Sequence, residues 1–395
     1  MEHKNYLEMH TPAYLFDIDE FQAQIGRVRQ AWGEIGLCYS VKANPFLVGK
    51  TPETIDFLEV CSPGELEICV KRGVDPAKII FSGVNKTKES VQRAVDVSVE
   101  ILTIESLLHA ELIQEAASAK GVQVKVLLRL SAGSQFGMSE EDLTGIITDW
   151  KNKTAYTNLD IIGIHFFSGT QKKKVADIEK ELTNLAAFLE ELQEKYHFTV
   201  QQVEYGTGLG VEYFLPSKEK DGPSPNEKDN LLLEEVTPVL KQFAKRWPLT
   251  VEMGRFFAAS CGSYVTEVVD SKTVHDINYV ICDGGINQVK YQGQAMGMQQ
   301  PVIHSVNIAA KEDAAEKKAY TICGSLCTTS DILARGVLLP ALHVGDRLVF
   351  EKTGAYSVTE GLALFLSREL PAVYIKEGDN LTLVRDVTQI HTLNS

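Results

Sequence analysis

The chain has 395 residues, of which 44% are hydrophobic and 23% charged, enough apolar material for one large domain and a smaller companion. Its 39 basic against 53 acidic side chains give a net charge of -14, which argues against nucleic acid or an anionic membrane as the main partner. The N-terminal run MEHKNYLEMH lacks an apolar core of signal-peptide length, and no later stretch is apolar for long enough to span a bilayer, so a soluble cytoplasmic protein is expected.

Between about residues 36 and 255, short runs rich in Val, Ile and Leu alternate with amphipathic helical patterns. The strand-like runs are 37–41, 57–61, 78–82, 100–104, 124–130, 161–167, 203–206 and 249–253. Helical spacing is clearest over 87–98, 107–119, 176–196 and 231–246. Continuous apolar strands alternating with helices imply a parallel sheet buried on both faces, and eight such units imply a closed (β/α)8 barrel. Between the last two units, 216–230 is dense in Lys, Glu, Asp, Pro and Ser without periodicity. It reads as a surface loop, either a lid or a plain solvated insertion.

Past residue 260 the texture changes to strand-like runs at 264–269, 279–282, 319–322, 347–350 and 381–385, with few helical patterns between them. The predicted architecture is therefore α/β: a barrel over 27–260, and an all-β domain formed by 1–26 with 261–395. Seven cysteines without CxxC spacing read as reduced thiols, with Cys38 and Cys69 in apolar runs, so neither a disulfide framework nor a metal site is expected.

In such barrels the chemistry gathers at the C-terminal ends of the strands. Those ends read Lys42, Cys61-Ser62, Ser82-Gly83, Arg129, His165, Gly206-Thr207-Gly208 and Glu252-Met253-Gly254-Arg255. A lysine at a strand mouth can attack a carbonyl once its ammonium is partly desolvated. The two glycine-rich turns fall in the last two units, where barrels commonly hold a phosphate on bare backbone N–H groups. No G-x-G-x-x-G opens a helix in an early βαβ unit, which disfavours a dinucleotide. A lysine nucleophile beside a phosphate site points to pyridoxal 5'-phosphate.

At this point the chain resembles the fold-type III pyridoxal-phosphate decarboxylases, the family of diaminopimelate, ornithine and arginine decarboxylases. The resemblance runs from Thr11-Pro12-Ala13-Tyr14-Leu15-Phe16 through Tyr39-Ser40-Val41-Lys42-Ala43-Asn44 and Ser62-Pro63-Gly64-Glu65-Leu66. It continues in Gly163-Ile164-His165-Phe166, Gly169-Thr170-Gln171 and Glu252-Met253-Gly254-Arg255, and ends in Cys327-Thr328-Thr329-Ser330-Asp331 and Gly354-Ala355-Tyr356. It implies decarboxylation of an L-amino acid, with Lys42 forming the Schiff base to the cofactor. Gly206, Gly208, Gly254 and Arg255 would cradle the phosphate, with hydroxyl contacts from Thr170 and Tyr356. Glu252 would pair with the pyridine nitrogen, and Arg129 and Glu65 would support the site from behind. Cys327 would be the acid that protonates the carbon left by carbon dioxide. In the family that cysteine comes from the neighbouring subunit, which implies a homodimer with shared sites. A racemase would be expected to pair the ring nitrogen with arginine, so Glu252 argues for decarboxylation; a non-catalytic, decarboxylase-like binding protein does not account for the retained Lys42, Cys327 and Glu252.

One departure from the family pattern bears on the cofactor ring and two on the substrate. Phe167 stands where the family usually has a histidine stacked on the cofactor, leaving His165 either a polar group of the site or a hydrogen-bonded core histidine. Thr328 follows the cysteine where an acid commonly grips a distal ammonium. The Arg-Pro that binds the distal carboxylate in diaminopimelate decarboxylases is replaced around Tyr291-Gln292, although Asp283-Gly284-Gly285-Ile286-Asn287 is present. With His165, Tyr291, Thr328 and Asp331 as substrate-side candidates, the expected substrate has a masked or tethered far end, such as a carrier-protein-bound glutamyl group or a citryl-amino acid. A free diamino acid is the alternative. The neutral run 291–298 would line a passage for such a substrate or form a flexible loop.

Overall fold

The computed structural model describes residues 2–215, 223–291, 298–306 and 317–395. The chain divides into two compact units, one of Ile25–Val211 with Asp229–Phe257 and the other of Met1–Gln24, Glu212–Lys228 and Ala258–Ser395. The described residues 212–215 and 223–228 thus group with the second unit, not with the barrel in which the sequence pattern sets them. No described helix is long and apolar enough to cross a membrane.

Strand β1 (Ala13–Asp17) belongs to the second unit; the next eight strands close the barrel. They are β2 (Gly36–Ser40), β3 (Phe57–Val60), β4 (Ile79–Phe81), β5 (Ile101–Ile104), β6 (Val124–Leu130), β7 (Leu159–Phe167), β8 (Gln202–Gly206) and β9 (Leu249–Met253). Every pairing is parallel, and β2 with β9 completes the circle. Burial on both faces explains the continuous apolar strands: β5 and β9 are buried at every position. Cys38, Ile80, Ile101, Leu127 and Ile162 form one apolar cluster drawn from five of the strands.

Several helices between these strands start at side-chain caps, whereas Val175–Tyr196 has none. Ser106 Oγ accepts the His109 amide at 3.2 Å ahead of helix Leu107–Lys120, which ends where Gly121 adopts a left-handed φ of 71°. Helix Glu140–Asn152, less visible in the sequence pattern, begins at a Ser139 cap with Glu140, Glu141 and Asp142 in its first turn. The expected loop 216–230 needs correction. Residues 216–222 lie outside the described residues, and helix Pro225–Ala244 takes up the rest. Its start is a reciprocal cap: Ser224 Oγ accepts the Glu227 amide at 3.3 Å, and Glu227 Oε2 accepts the Ser224 amide at 2.6 Å.

The second unit is a mostly antiparallel sheet of nine strands among the described residues. Its remaining strands are β10 (Gly262–Val274), β11 (Ile277–Cys282), β12 (Ile303–Val306), β13 (Lys318–Cys323), β14 (Ile332–Leu339), β15 (Arg347–Phe350), β16 (Ala372–Glu377) and β17 (Asn380–Arg385). The central path runs β14-β13-β11-β10-β1-β16-β17, with β15 pairing both β10 and β12. Strand β1 lies between β10, antiparallel to it, and β16, parallel to it. Its Ala13 and Leu15 pack with Tyr6, Met9, Val265, Val306, Val349 and Ala372.

Within the barrel unit, Trp32 ends helix Ile18–Trp32, is 1% exposed, and donates from Nε1 to Thr237 Oγ1 at 3.1 Å. It joins that helix to Pro225–Ala244. Replacing Trp32 by Ala leaves a cavity and removes one hydrogen bond to Thr237, whose hydroxyl keeps its own bond to the Leu233 carbonyl at 2.7 Å, at an expected cost of about 3–5 kcal/mol. Urea unfolding checks this as a lower midpoint at an unchanged slope; a loss below about 1 kcal/mol would refute the packing role.

Candidate active site

Lys42 lies in a single tight turn, Val41–Ala43, entered directly from β2. Strand pairing brings β3 and β9 to either side of β2, with Ser40 level with Glu59 and Cys38 level with Glu252. Lys42 Nζ therefore donates to Glu59 Oε2 at 2.9 Å and to Glu252 Oε1 at 3.3 Å, with Cys61 Sγ at 3.5 Å. Its side chain is 37% exposed, while Glu59 and Glu252 are 2% and 7% exposed. The amine thus reaches out of the barrel from a base of buried carboxylates. Such burial would be costly for either carboxylate alone and is offset by the shared ammonium.

Glu252 is the hub of this group. Ser40 Oγ donates to its Oε1, and His165 Nε2 lies 3.4 Å from its Oε2, an ion-pair distance without hydrogen-bond alignment. Burial pushes the Glu252 carboxyl up, but the Lys42 charge and then His165 outweigh it and hold the group well below its usual range. The Cys61 thiol moves the other way: burial, then the Glu59 charge, push it well up, so it neighbours the amine as a neutral thiol. His165 is 1% exposed and belongs to this buried cluster. Arg129 is ion-paired to Glu105 at 3.0 Å and lies over the Phe136 ring at 4.8 Å. Glu65 is a backbone cap: its Oε2 accepts the Cys61 amide at 2.6 Å, and its own amide donates to the Ser62 cap at 3.2 Å.

The glycine turns are shaped by what a side chain would strike. A Cβ at Gly206 would lie 2.4 Å from Phe167 Cδ2, so the half-buried Phe167 ring leans across the end of β8. Gly208 has a left-handed φ of 58°, and a Cβ there would meet the Gly169 carbonyl at 1.9 Å. At Gly254 it would come within 2.6 Å of Ala43 Cβ, which lets the end of β9 close on the lysine turn. The loops after β7 and β8 zip together: Lys172 N donates to Gly208 O and Gly210 N to Lys172 O, each at 2.9 Å. Thr170 is exposed on that edge, and Arg255 opens the short helix after β9.

The second unit holds the remaining candidates. Cys327 is exposed, whereas Cys38, Cys69, Cys261 and Cys282 are buried. It lies in a loop clamped by Asp331, which is 3% exposed; its Oδ1 accepts the Ile286 amide at 2.9 Å and its Oδ2 the Leu326 amide at 2.7 Å. Thr328 is half-buried and shares a hydrogen bond with Ser330 at 2.9 Å. Tyr291 is 2% exposed, donates to the Glu351 carbonyl at 2.5 Å, and packs edge-on against Tyr213. Asp331 and Tyr291 are thus engaged within the fold of this unit. Residues 292–297 of the run expected to line a passage lie outside the described residues. Tyr356 is half-buried with a φ of 65°, a sparsely populated backbone region for an aromatic residue.

Sequence reasoning missed Glu59 and Glu204. A carboxyl inside an otherwise apolar barrel strand is the signal that marks both.

The model for pyridoxal-dependent decarboxylases, pyridoxal binding domain, matches residues 18–259. The chain is 28% identical over 405 residues to the L-glutamyl-[BtrI acyl-carrier protein] decarboxylase of Niallia circulans, covering 95% of this chain and 91% of that one. It is 27% identical to the 2-[(L-alanin-3-ylcarbamoyl)methyl]-2-hydroxybutanedioate decarboxylase of Staphylococcus aureus, covering 91% and 92%. The crystal structure of diaminopimelate decarboxylase from Helicobacter pylori complexed with L-lysine superposes with a TM-score of 0.82 over 100% of this chain and 98% of that one, at 21% identity.

Because Glu252 is held ionised by the fold, its contribution to stability is present above its ordinary pKa of 4.5 and is lost as pH falls through and below that value. Cofactor-free Glu252→Gln should therefore show a flatter fall in melting temperature than the parent between about pH 6 and about pH 3.5. Equal slopes would show that Glu252 gains nothing from Lys42 and His165.

Proposed function

Since this chain belongs to the pyridoxal-dependent decarboxylases, and as such removes a carboxyl group from an amino acid with pyridoxal 5'-phosphate, we propose that its substrate is an L-amino acid whose distal end is masked or tethered. The residues present fit the cofactor. Lys42 offers a primary amine for its aldehyde, the ionised Glu252 an acceptor for its ring N–H, and the close-packed glycine turns at Gly206, Gly208 and Gly254 a backbone without side chains from which its phosphate would take N–H donors. When bound, the cofactor supplies an electron sink for the pair released as carbon dioxide leaves. On this reading Lys42 anchors it, Glu252 keeps a proton on the ring nitrogen, Phe167 offers an aromatic face, and Thr170, Arg255 and Tyr356 contact the phosphate. Cys327 gives the α-carbon its proton from a second copy of the chain, and its exposure is consistent with that service between subunits.

The observation that carries the substrate reading is the chemistry of the Cys327 loop. Thr328 is neutral, and the one acid of the loop, Asp331, is engaged by two backbone amides. A distal ammonium placed there would lack a carboxylate, a cost of several kcal/mol in a closed site, on the order of 3–5 kcal/mol. The Niallia circulans relative is named for a carrier-bound glutamyl substrate, and the name of the Staphylococcus aureus relative describes an alanyl unit joined through an amide; both have masked ends. A free diamino acid is the competing reading, and the fold shared with diaminopimelate decarboxylase is what favours it.

A direct test measures carbon dioxide release from glutamyl thioesters of a carrier protein, from amide-linked amino acids, and from free lysine, ornithine and diaminopimelate. The masked substrates should exceed the free ones in kcat/KM by about 100-fold or more. Preference for a free diamino acid would overturn the substrate assignment and leave the decarboxylase assignment standing.

Borohydride should fix the cofactor to the parent protein and add its mass, and should fail to do so in Lys42→Ala, with loss of turnover. Fixation at full stoichiometry in Lys42→Ala would remove Lys42 as the anchor. Cys327→Ala should keep the cofactor and slow product formation by about 100- to 10,000-fold; an unimpaired variant would exclude Cys327 as the acid.

A further inference from the structure

Glu204 is the buried acid for which the reading above has no use. It occupies β8, two residues before Gly206, is 0% exposed, and lies level with His165 on β7 and Thr250 on β9. Neither carboxyl oxygen makes a hydrogen bond among the described residues; the thiol of Cys38, a weak donor, lies beside it. The charged groups that face it are Glu252 from β9, Glu59 from β3 and Lys42 from the turn after β2, together with the ring of His165. The nearby cations bond elsewhere: Lys42 to Glu59 and Glu252, Arg129 to Glu105. An ionised carboxylate in that position would have only the weak Cys38 thiol as donor, and two like charges around it against the single charge of Lys42.

We propose that Glu204 is a positioning residue, an uncharged carboxylic acid within the barrel that leaves the negative charge of the cluster on Glu59 and Glu252, the two carboxylates that touch Lys42. Burial first, and then the charges of Glu252 and Glu59, push the Glu204 carboxyl well above its ordinary range, in the opposite sense to Glu252. The effect on Lys42 follows from the charge count. With Glu204 neutral, the amine faces the two carboxylates that it bonds. A third anion would bind its proton more tightly and hold it in the unreactive ammonium form. The proposal rests on Lys42 and Glu252 as the working pair, but its test needs neither cofactor nor turnover.

In cofactor-free protein at neutral pH, the infrared spectrum should contain a protonated carboxylic-acid band that disappears in Glu204→Gln. The sign of the stability effect follows from proton binding. Folded Glu204 keeps a proton that the unfolded chain releases above its ordinary pKa of 4.5, so its contribution falls as pH rises from there. Glutamine lacks that dependence. The melting temperature of Glu204→Gln relative to the parent should therefore climb between about pH 5 and about pH 8. A constant difference, with the acid band retained in the variant, would overturn the proposal. If Glu204→Gln does not fold, Glu252→Gln decides: removing the neighbouring charge should shift the loss of the parent's acid band to lower pH, and an unmoved titration would overturn the assignment. Failure here with borohydride fixation intact at Lys42 would refute the role of Glu204 and not the cofactor site.

Discussion

The amine of Lys42, held between Glu59 and Glu252, is the constraint around which the barrel unit is arranged. A single ammonium stabilises two carboxylates that water does not reach, and neither would tolerate that burial alone. The geometry needs three strands in register. Strand β2 delivers the lysine at its C-terminal end, and its closure with both β3 and β9 sets one glutamate on each side. Ser40, the last residue of β2, donates to Glu252 and fixes the carboxylate that the lysine shares. Gly254 completes the arrangement, because any side chain there would strike Ala43 and hold the end of β9 away from the lysine turn. Closure of the barrel and assembly of the charged cluster are therefore the same structural event.

The rest of the site follows from keeping those charges few. Arg129 has its own acid in Glu105, so it leaves the carboxylates of the lysine to the lysine. Cys61 contributes a neutral thiol where a further charge would unbalance the group. Around the rim, glycines do the converse work of removing bulk. Gly206 gives way to the Phe167 ring, and Gly208 lets the loop after β8 zip onto the loop after β7. Thr170 is exposed on the edge that results.

The barrel was legible because burial on both faces writes a recognisable pattern: β5 is apolar but for Thr103 and buried at every position, and β6 is buried at all but Lys125. The strands missed in the second unit, such as β12 and β16, are half-exposed and lack that pattern. The body of helix Pro225–Ala244 was legible from residue 231 on, and only its charged first turns read as loop, although Ser224 and Glu227 spell a reciprocal cap. Lys42 and Glu252 were readable from position and motif. Glu59 was not, because only the pairing of β2 with β3 brings it to the amine. Asp331 and Tyr291 show the opposite failure. Each adjoins a recognisable motif, yet sequence adjacency does not say which way a side chain points, and both point into the fold.

That outcome for Asp331 sharpens the division of labour between the two units. The barrel concentrates carboxylates and balances them internally, so its acids serve the lysine. In the second unit the loop that carries Cys327 has one acid, and two backbone amides hold it. Moving Asp331 to meet a cationic substrate would strand the Ile286 and Leu326 amides and loosen the loop that presents Cys327. Thr328 cannot make up the charge, and its hydroxyl already has a partner in Ser330. The loop is thus stiff where the proposed proton donor needs it stiff and neutral where related enzymes that take diamino acids would need it charged. A substrate whose far end is already an amide or a thioester asks nothing more of it.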